Sequence, residues 1–277
     1  MTSGIPTSLV LRLLRHEAAV HAVPDRIIRE LGDAILLHDT VDPEPFWNRL
    51  EAVQFPSDPR DFDRRLAEIG ILFASIGRQP HVWLLPPHDS PTDVYDRLVA
   101  NGFEDAGPGH LMVATNDAAA RSALSRVPAP GVTIERYRDI HGADAERAAN
   151  AVVGVLLTAF DVGDERRPGV VSETLATLGD SRFTHYLVRL DGAPVAAARR
   201  ATFDRMSYLS SIGTSTAARG RGLGRLVSAT AMVDGFEEGS ELVHLGVFHD
   251  NVPARSLYEA LGFDYAGEPG PDMILVG

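Results

Sequence analysis

The chain has no cysteine and no lysine anywhere in its 277 residues. The first absence excludes disulfides, thiolate metal sites and a cysteine nucleophile. The second excludes a Walker-type phosphate loop, which needs Lys followed by Ser or Thr. All 26 basic side chains are arginine, as in a genome that favours Arg, Ala and Gly codons. No run of about 18 apolar residues is present to cross a membrane. Near the start, Arg12, Arg15, His16 and Glu17 interrupt the only apolar stretch, which argues against a signal peptide; the expected location is the cytoplasm. A formal net charge of −12 argues against a nucleic-acid surface, which needs a basic stripe. An acidic surface favours encounter with a cationic substrate, weakly at cellular salt. No spacing of His, Asp and Glu suggests a metal site, and no G-x-S-x-G elbow supports serine hydrolysis.

The composition that remains, 44% hydrophobic and 23% charged, is that of a globular protein able to bury a core. Its length suits two domains of about 100–150 residues. Thr115–Gly131 (TNDAAARSALSRVPAPG) is rich in Ala, Ser and Pro and reads as a linker between residues 1–117 and 131–277. An internal echo supports the division. Leu98–Gly107 (LVANGFEDAG) and Tyr258–Gly267 (YEALGFDYAG) align at Gly-Phe and Ala-Gly. Each copy then runs to an apolar strand, Leu111–Ala114 in the first and Met273–Val276 in the second.

Periodicity in the second half predicts strand Val132–Arg136, helix Ala145–Phe160 and a short helix Glu173–Leu178. A hairpin of His185–Leu190 and Pro194–Phe203 turns at Asp191-Gly192, a favourable two-residue loop. Strand Met206–Thr214, a helix after the glycines, strand Leu242–Phe248, helix Val252–Leu261 and two last strands follow. Many antiparallel neighbours with a few helices predict an α+β (mixed α/β) fold. The first half reads as a shorter version: a helix near Leu9–Ala18, strands Ala34–His38 and Phe46–Val53, and a helix Phe62–Ile76.

The chemistry concentrates in Arg219-Gly220-Arg221-Gly222-Leu223-Gly224-Arg225, between a strand and an amphipathic helix. Glycines let the backbone approach a ligand closely. Free N–H groups and the partial positive end of the helix dipole favour a phosphate. Arg219, Arg221 and Arg225 add fixed charge and planar donors. A plain glycine turn would use the same glycines, but this order of strand, loop, arginines and helix points to phosphate. A Rossmann site is excluded, because Gly220, Gly222 and Gly224 lack the G-x-G-x-x-G spacing and come late in their domain.

These residues resemble the GNAT family of N-acetyltransferases. The family's coenzyme A loop, Arg/Gln-x-x-Gly-x-Gly/Ala, is matched by Arg219, Gly222 and Gly224. Its N-x-x-A-x-x-L-Y-x-x-x-G-F helix pattern is matched by Asn251, Ala254, Leu257, Tyr258, Gly262 and Phe263. The resemblance spans Val132–Val276 and, more loosely, the first half. It implies a tandem of two GNAT-like domains, each a mostly antiparallel twisted sheet flanked by helices, with a degenerate first copy. It further implies that acetyl-CoA is the cosubstrate. Thr214, Ser215 and Thr216 would offer backbone groups to the pantetheine arm. Arg219, Gly220, Arg221, Gly222, Leu223, Gly224 and Arg225 would hold the pyrophosphate. Asn251 would contact the cofactor arm, and Tyr258 would protonate the departing thiolate.

Each role has a plainer counterpart. Tyr258 shares a core stripe with Ala254, Leu257 and Leu261, although a phenol of ordinary pKa suits a thiolate leaving group. Asn251 fits a helix cap followed by Pro253. The strand MSYLSSIGT has no acid and carries Tyr208 near the place where relatives often keep a carboxylate base. His244 and His249 are candidate bases by chemistry, but a lone His on strand Leu242–Phe248 is more often structural. Asp161, Asp164 and Glu165 would suit a cationic amine or simply be solvated. The expectation is direct acetyl transfer from acetyl-CoA to a primary amine on a small molecule or peptide. No metal, nucleic acid or membrane partner is expected, and monomer and homodimer stay open. The alternative is a non-catalytic acyl-CoA sensor or scaffold.

Overall fold

The computed structural model describes residues 6–86, 88–125 and 130–276. The chain begins with α1 (Thr7–His21), β1 (Ile27–Glu30), β2 (Ile35–His38), β3 (Arg49–Glu51), α2 (Pro59–Ser75) and β4 (His81–Trp83). Next come α3 (Val94–Ala100), β5 (Phe103–Asp105), β6 (Gly109–Ala114), α4 (Ala118–Leu124), β7 (Val132–Tyr137), α5 (Gly142–Phe160) and α6 (Arg167–Leu178). It ends with β8 (Phe183–Leu190), β9 (Ala193–Phe203), β10 (Met206–Thr214), α7 (Leu223–Glu237), β11 (Leu242–Phe248), α8 (Val252–Glu259), β12 (Asp264–Tyr265) and β13 (Asp272–Leu275). The result is a mixed α+β protein with two sheets flanked by helices. Two compact units emerge. The first takes the chain as far as Leu111 plus Val247–Val252 and the residues from Tyr265 on; the second takes Met112–Gly246 and Pro253–Asp264.

In the first unit the strand order is β1-β2-β3-β4-β13-β5. Strands β3 and β4 pair in parallel at Leu50 and Val82. Alternation along β3 turns Leu50 into a core with Leu36, Phe62, Ile69, Phe73, Val82, Leu98, Phe103 and Met273. Helix α2 supplies the stripe of Phe62, Ile69 and Phe73 to that core, as its spacing predicts. The expected strand Phe46–Val53 is shorter. Pro45–Trp47 forms a 3-10 turn, held where Arg49 Nη1 donates to Phe46 O at 2.5 Å. Ala52, at φ +54, ends the extended stretch.

The last strand departs from the echo seen in the sequence. Strand β13 lies in the first unit's sheet, antiparallel to both β4 and β5, whereas β6 belongs to the other sheet. The two apolar strands that close the repeats are thus exchanged. Local pattern is the same for either destination, so the sequence does not distinguish them.

The second sheet has the order β12-β6-β11-β10-β9-β8-β7. Strands β7 to β10 are joined antiparallel, and β10 pairs with β11 in parallel. The β8–β9 hairpin turns at Asp191 and Gly192, with φ of +51° and +84°, as expected for a two-residue primed turn. One face packs on α5, where Val152, Val155 and Leu156 meet Leu187 and Ala197. The other packs on α7, whose Gly235 leaves so little room that a Cβ there would lie 2.8 Å from Ser207 Oγ. Helix α7 is buried well beyond one apolar stripe, Ser228, Ala229 and Met232 included. The cause is α4, which packs against α7. The Ala-rich stretch read as linker therefore holds a helix, stabilised by the Arg121–Asp117 pair at 2.7 Å. Residues 126–129 of that stretch lie outside the described residues.

Candidate active site

Strand β10 is regular as far as Tyr208, which pairs with His244 of β11 and Ala201 of β9. Beyond that pair no further β10–β11 register is formed among the described residues, although both strands continue. The β9–β10 register also shifts between Ser210 and Gly213, where Ser211 takes φ +50. A bulge of this kind turns backbone groups out of the ladder. A strand that parts from its parallel neighbour while bulging leaves backbone N–H and C=O groups for a ligand.

The glycine loop follows directly. Gly220 and Gly222 have φ of +76° and +74°, and a Cβ at either would meet nothing within 4 Å among the described residues. They are needed for conformation, and the space beside them is open. Gly222 is the N-cap of α7, with no side-chain cap bond. Its carbonyl accepts from Leu226 N at 2.9 Å, which leaves the first-turn N–H groups of the helix without an intrahelical partner. Gly224 has a different reason to be glycine. A Cβ there would sit 3.1 Å from Thr214 Oγ1 and 3.6 Å from Leu257 Cδ1. Helix α8 and the end of β10 thus close on the first turn of α7. Arg221 is exposed, and Arg225 is half-buried, its Nε without a hydrogen-bond partner among the described residues.

Arg219 is placed differently from its neighbours. Its Nη2 donates to Ala159 O at 2.7 Å, and its Nε donates to Thr214 O at 3.3 Å. Thr216 Oγ1 reaches Thr158 O at 3.3 Å. The loop is therefore laced to the last turn of α5. Gly213, which the sequence reading passed over, makes that approach possible. A Cβ on it would lie 2.7 Å from Ala159 Cβ and 3.7 Å from Phe160 Cε2.

Tyr258 is only 6% exposed and meets Phe263 edge-on at 5.9 Å between centroids. Burial pushes its phenol pKa up, so it is a protonated group at neutral pH. Asn251 precedes α8, and its N–H donates to Phe248 O at 3.1 Å. His244 is fully buried, its ring 4.9 Å from that of Tyr208. His249 lies past the end of β11 and joins His110, Nδ1 to Nε2, at 2.9 Å. Asp164 is exposed and paired with Arg167 at 3.0 Å.

A polar network on the α5–α6 face also escaped the sequence reading. Buried Arg199 binds Glu173 at 2.7 Å and Ser210 Oγ at 3.0 Å. His185 Nε2 sits 2.8 Å from Thr177 Oγ1, and burial, then the Arg199 charge, depresses its pKa to about 3. Only knowledge of strand register puts these residues on one face; their separation in sequence carries no signal.

Residues 155–263 match the acetyltransferase (GNAT) family model. A 72-residue stretch is 42% identical to N-alpha-acetyltransferase 40 of Saccharomyces cerevisiae, covering 23% of this chain. The match spans 25% of that relative's length. A GCN5-related N-acetyltransferase from Kribbella flavida superposes with a TM-score of 0.70 at 23% identity, over 100% of this chain and 97% of the other. A tandem GNAT protein from the clavulanic acid biosynthesis pathway, solved without AcCoA, gives 0.61 at 16% identity, over 93% and 86%. At such identities the two structures speak for the fold.

Proposed function

We propose, from the premise that residues 155–263 form a GNAT-family acetyltransferase domain, that this protein transfers an acetyl group from acetyl-CoA to a primary amine. The observation that carries this reading is the uncapped start of α7 behind two open left-handed glycines, Gly220 and Gly222. Backbone N–H groups there suit a pyrophosphate, with Arg221 and Arg225 adding charge. The arm would run along Thr214–Thr216 to the bulge at Ser211. The amine nitrogen attacks the thioester carbonyl, forming a C–N bond, and the C–S bond breaks. A turned-out backbone N–H near the bulge would polarise the carbonyl oxygen. Tyr258, protonated at neutral pH, is the donor assigned to the thiolate, and the proton that the attacking nitrogen sheds passes through solvent and restores the phenol. Asn251 is assigned a contact to the cofactor arm.

The first unit, read as a degenerate copy, would support or shape the site without binding acetyl-CoA. Strand β3, α2 and β4 repeat the order of β10, α7 and β11, and each opening strand meets a left-handed residue, Ala52 just past β3 and Ser211 within β10. The start of α2, however, is filled by its own anion. The Asp58 carboxylate accepts from Arg60 N and Asp61 N at 2.9 Å and 3.1 Å. Past β3 and β4 the chain is held by a parallel bridge of Gln54 and Ser90, with Phe55 N donating to Ser90 O at 2.9 Å. Calorimetric titration with acetyl-CoA, followed by thiol release over a panel of amines, amino acids and peptides, tests both parts. One site per chain with turnover is expected. Binding without thiol release across the panel would favour a sensor, and two sites would refute the role given to the first unit.

A further inference from the structure

The family pattern counts Arg219 with the phosphate loop, but its bonds run the other way. Two of its three guanidinium nitrogens are committed to the backbone carbonyls Ala159 O and Thr214 O. Ala159 is in the last turn of α5, where carbonyls lack intrahelical donors and the dipole favours a cation. Thr216 adds a second tie to Thr158 O. The helix ends at Phe160, one residue past Ala159, and its cap Asp161 is left-handed at φ +54°. The turn leaving α5 is thus held from the cofactor loop on one side. On the other, Phe160, 52% exposed, has its ring edge beside Gly213 at the bulge. That places the α5 exit next to the acyl end of a cofactor lying along β10.

We propose that Arg219 is a positioning residue, which couples occupancy of the cofactor loop to the order of the α5 exit, residues 158–167. Phosphate contact is left to the α7 N-terminus and to Arg221 and Arg225. The inference rests on the reading that acetyl-CoA binds this loop. A planar fork reaching two carbonyls in different elements does what a point charge cannot, so charge alone does not substitute for it.

The test uses the full chain with acetyl-CoA as the probe, measured by calorimetry at several salt concentrations and by amide hydrogen exchange. In the unchanged chain, acetyl-CoA is expected to slow exchange across residues 158–167. In Arg219→Gln the Kd should stay within about threefold, with an unchanged slope of log Kd against log salt, while that protection is lost. Arg219→Lys should lose it as well. A tenfold or greater weakening with a shallower salt slope, restored by Lys, would mean that Arg219 is a phosphate ligand and would overturn the inference. Retained protection in a variant that still binds would overturn it too. Arg225→Gln is the control, expected to weaken binding and flatten the slope. If the unchanged chain does not bind acetyl-CoA, the proposed function falls first and this inference with it.

Discussion

Asp89 offers a sharp test of how the first unit is held together. The residue is 6% exposed, and one carboxyl oxygen, Oδ1, has no hydrogen-bond partner among the described residues. The other accepts from Leu85 N. Burial raises its pKa from 3.8 to about 7, against the opposing pull of the Leu85 and Val53 backbone groups, and the Glu51 charge adds to the rise. A carboxyl raised on folding contributes stability below its unfolded pKa and loses it as pH climbs to the folded one. The loss therefore runs from near pH 4 to about 7. At about 1.4 kcal/mol per pH unit, it amounts to about 4 kcal/mol. Asp89→Asn removes the ionisation and keeps an oxygen for Leu85 N–H. At pH 8 it should stabilise the unit by about 2–4 kcal/mol, since the amide brings an N–H₂ of its own to satisfy. Urea unfolding would then shift by roughly 1–2 M. The chain's two tryptophans, Trp47 and Trp83, both lie in this unit, so their fluorescence reports it directly. At pH 4 the advantage should vanish. A variant no more stable than the parent at pH 8, or a difference independent of pH, would refute the reasoning.

Three further outcomes are expected. Gly224→Val should abolish acetyl-CoA binding by calorimetry while circular dichroism stays native, because the new side chain meets Thr214 and Leu257; unchanged affinity would remove the loop from the site. Tyr258→Phe should keep cofactor affinity and slow turnover by about 10²–10⁴-fold where chemistry limits the rate, and a parental rate would leave the ring as packing against Phe263. Asp58→Ala should cost about 1 kcal/mol of first-unit stability through loss of the cap, read by the same fluorescence, without creating a second acetyl-CoA site.

How much of this was legible in the sequence depends on range. The hairpin at Asp191-Gly192, the helix after the glycines and the loop itself follow from local chemistry, and all stand where the spacing predicts. Helix α4 was hidden because Ala, Ser and Arg suit both a linker and a helix, and only packing against α7 decides. The separation of β10 from β11 and the left-handed Ser211 depend on tertiary register and have no local signature. The same holds for Gly213, whose need for a bare Cα appears only once α5 crosses it. The motif places Arg219 in the phosphate loop, and its bonds to Ala159 and Thr214 cannot be inferred from a one-dimensional pattern. The Asp58 carboxylate fills the donor site that a phosphate would use, which follows only once α2 is seen to start beside it.

The position of β13 has a consequence for the birth of the protein. Strand β5 is made early, yet its neighbour in the sheet is Asp272–Leu275. At about 5–20 residues per second, a ribosome needs roughly 10–30 s to travel from one to the other. During that interval β4 and β5 each present an edge with unanswered N–H and C=O groups, and the core around Phe103 lacks Met273. Of the two units, the one whose synthesis starts earlier is consequently completed later, and a nascent chain must shelter its open edges for the time the second sheet takes to emerge.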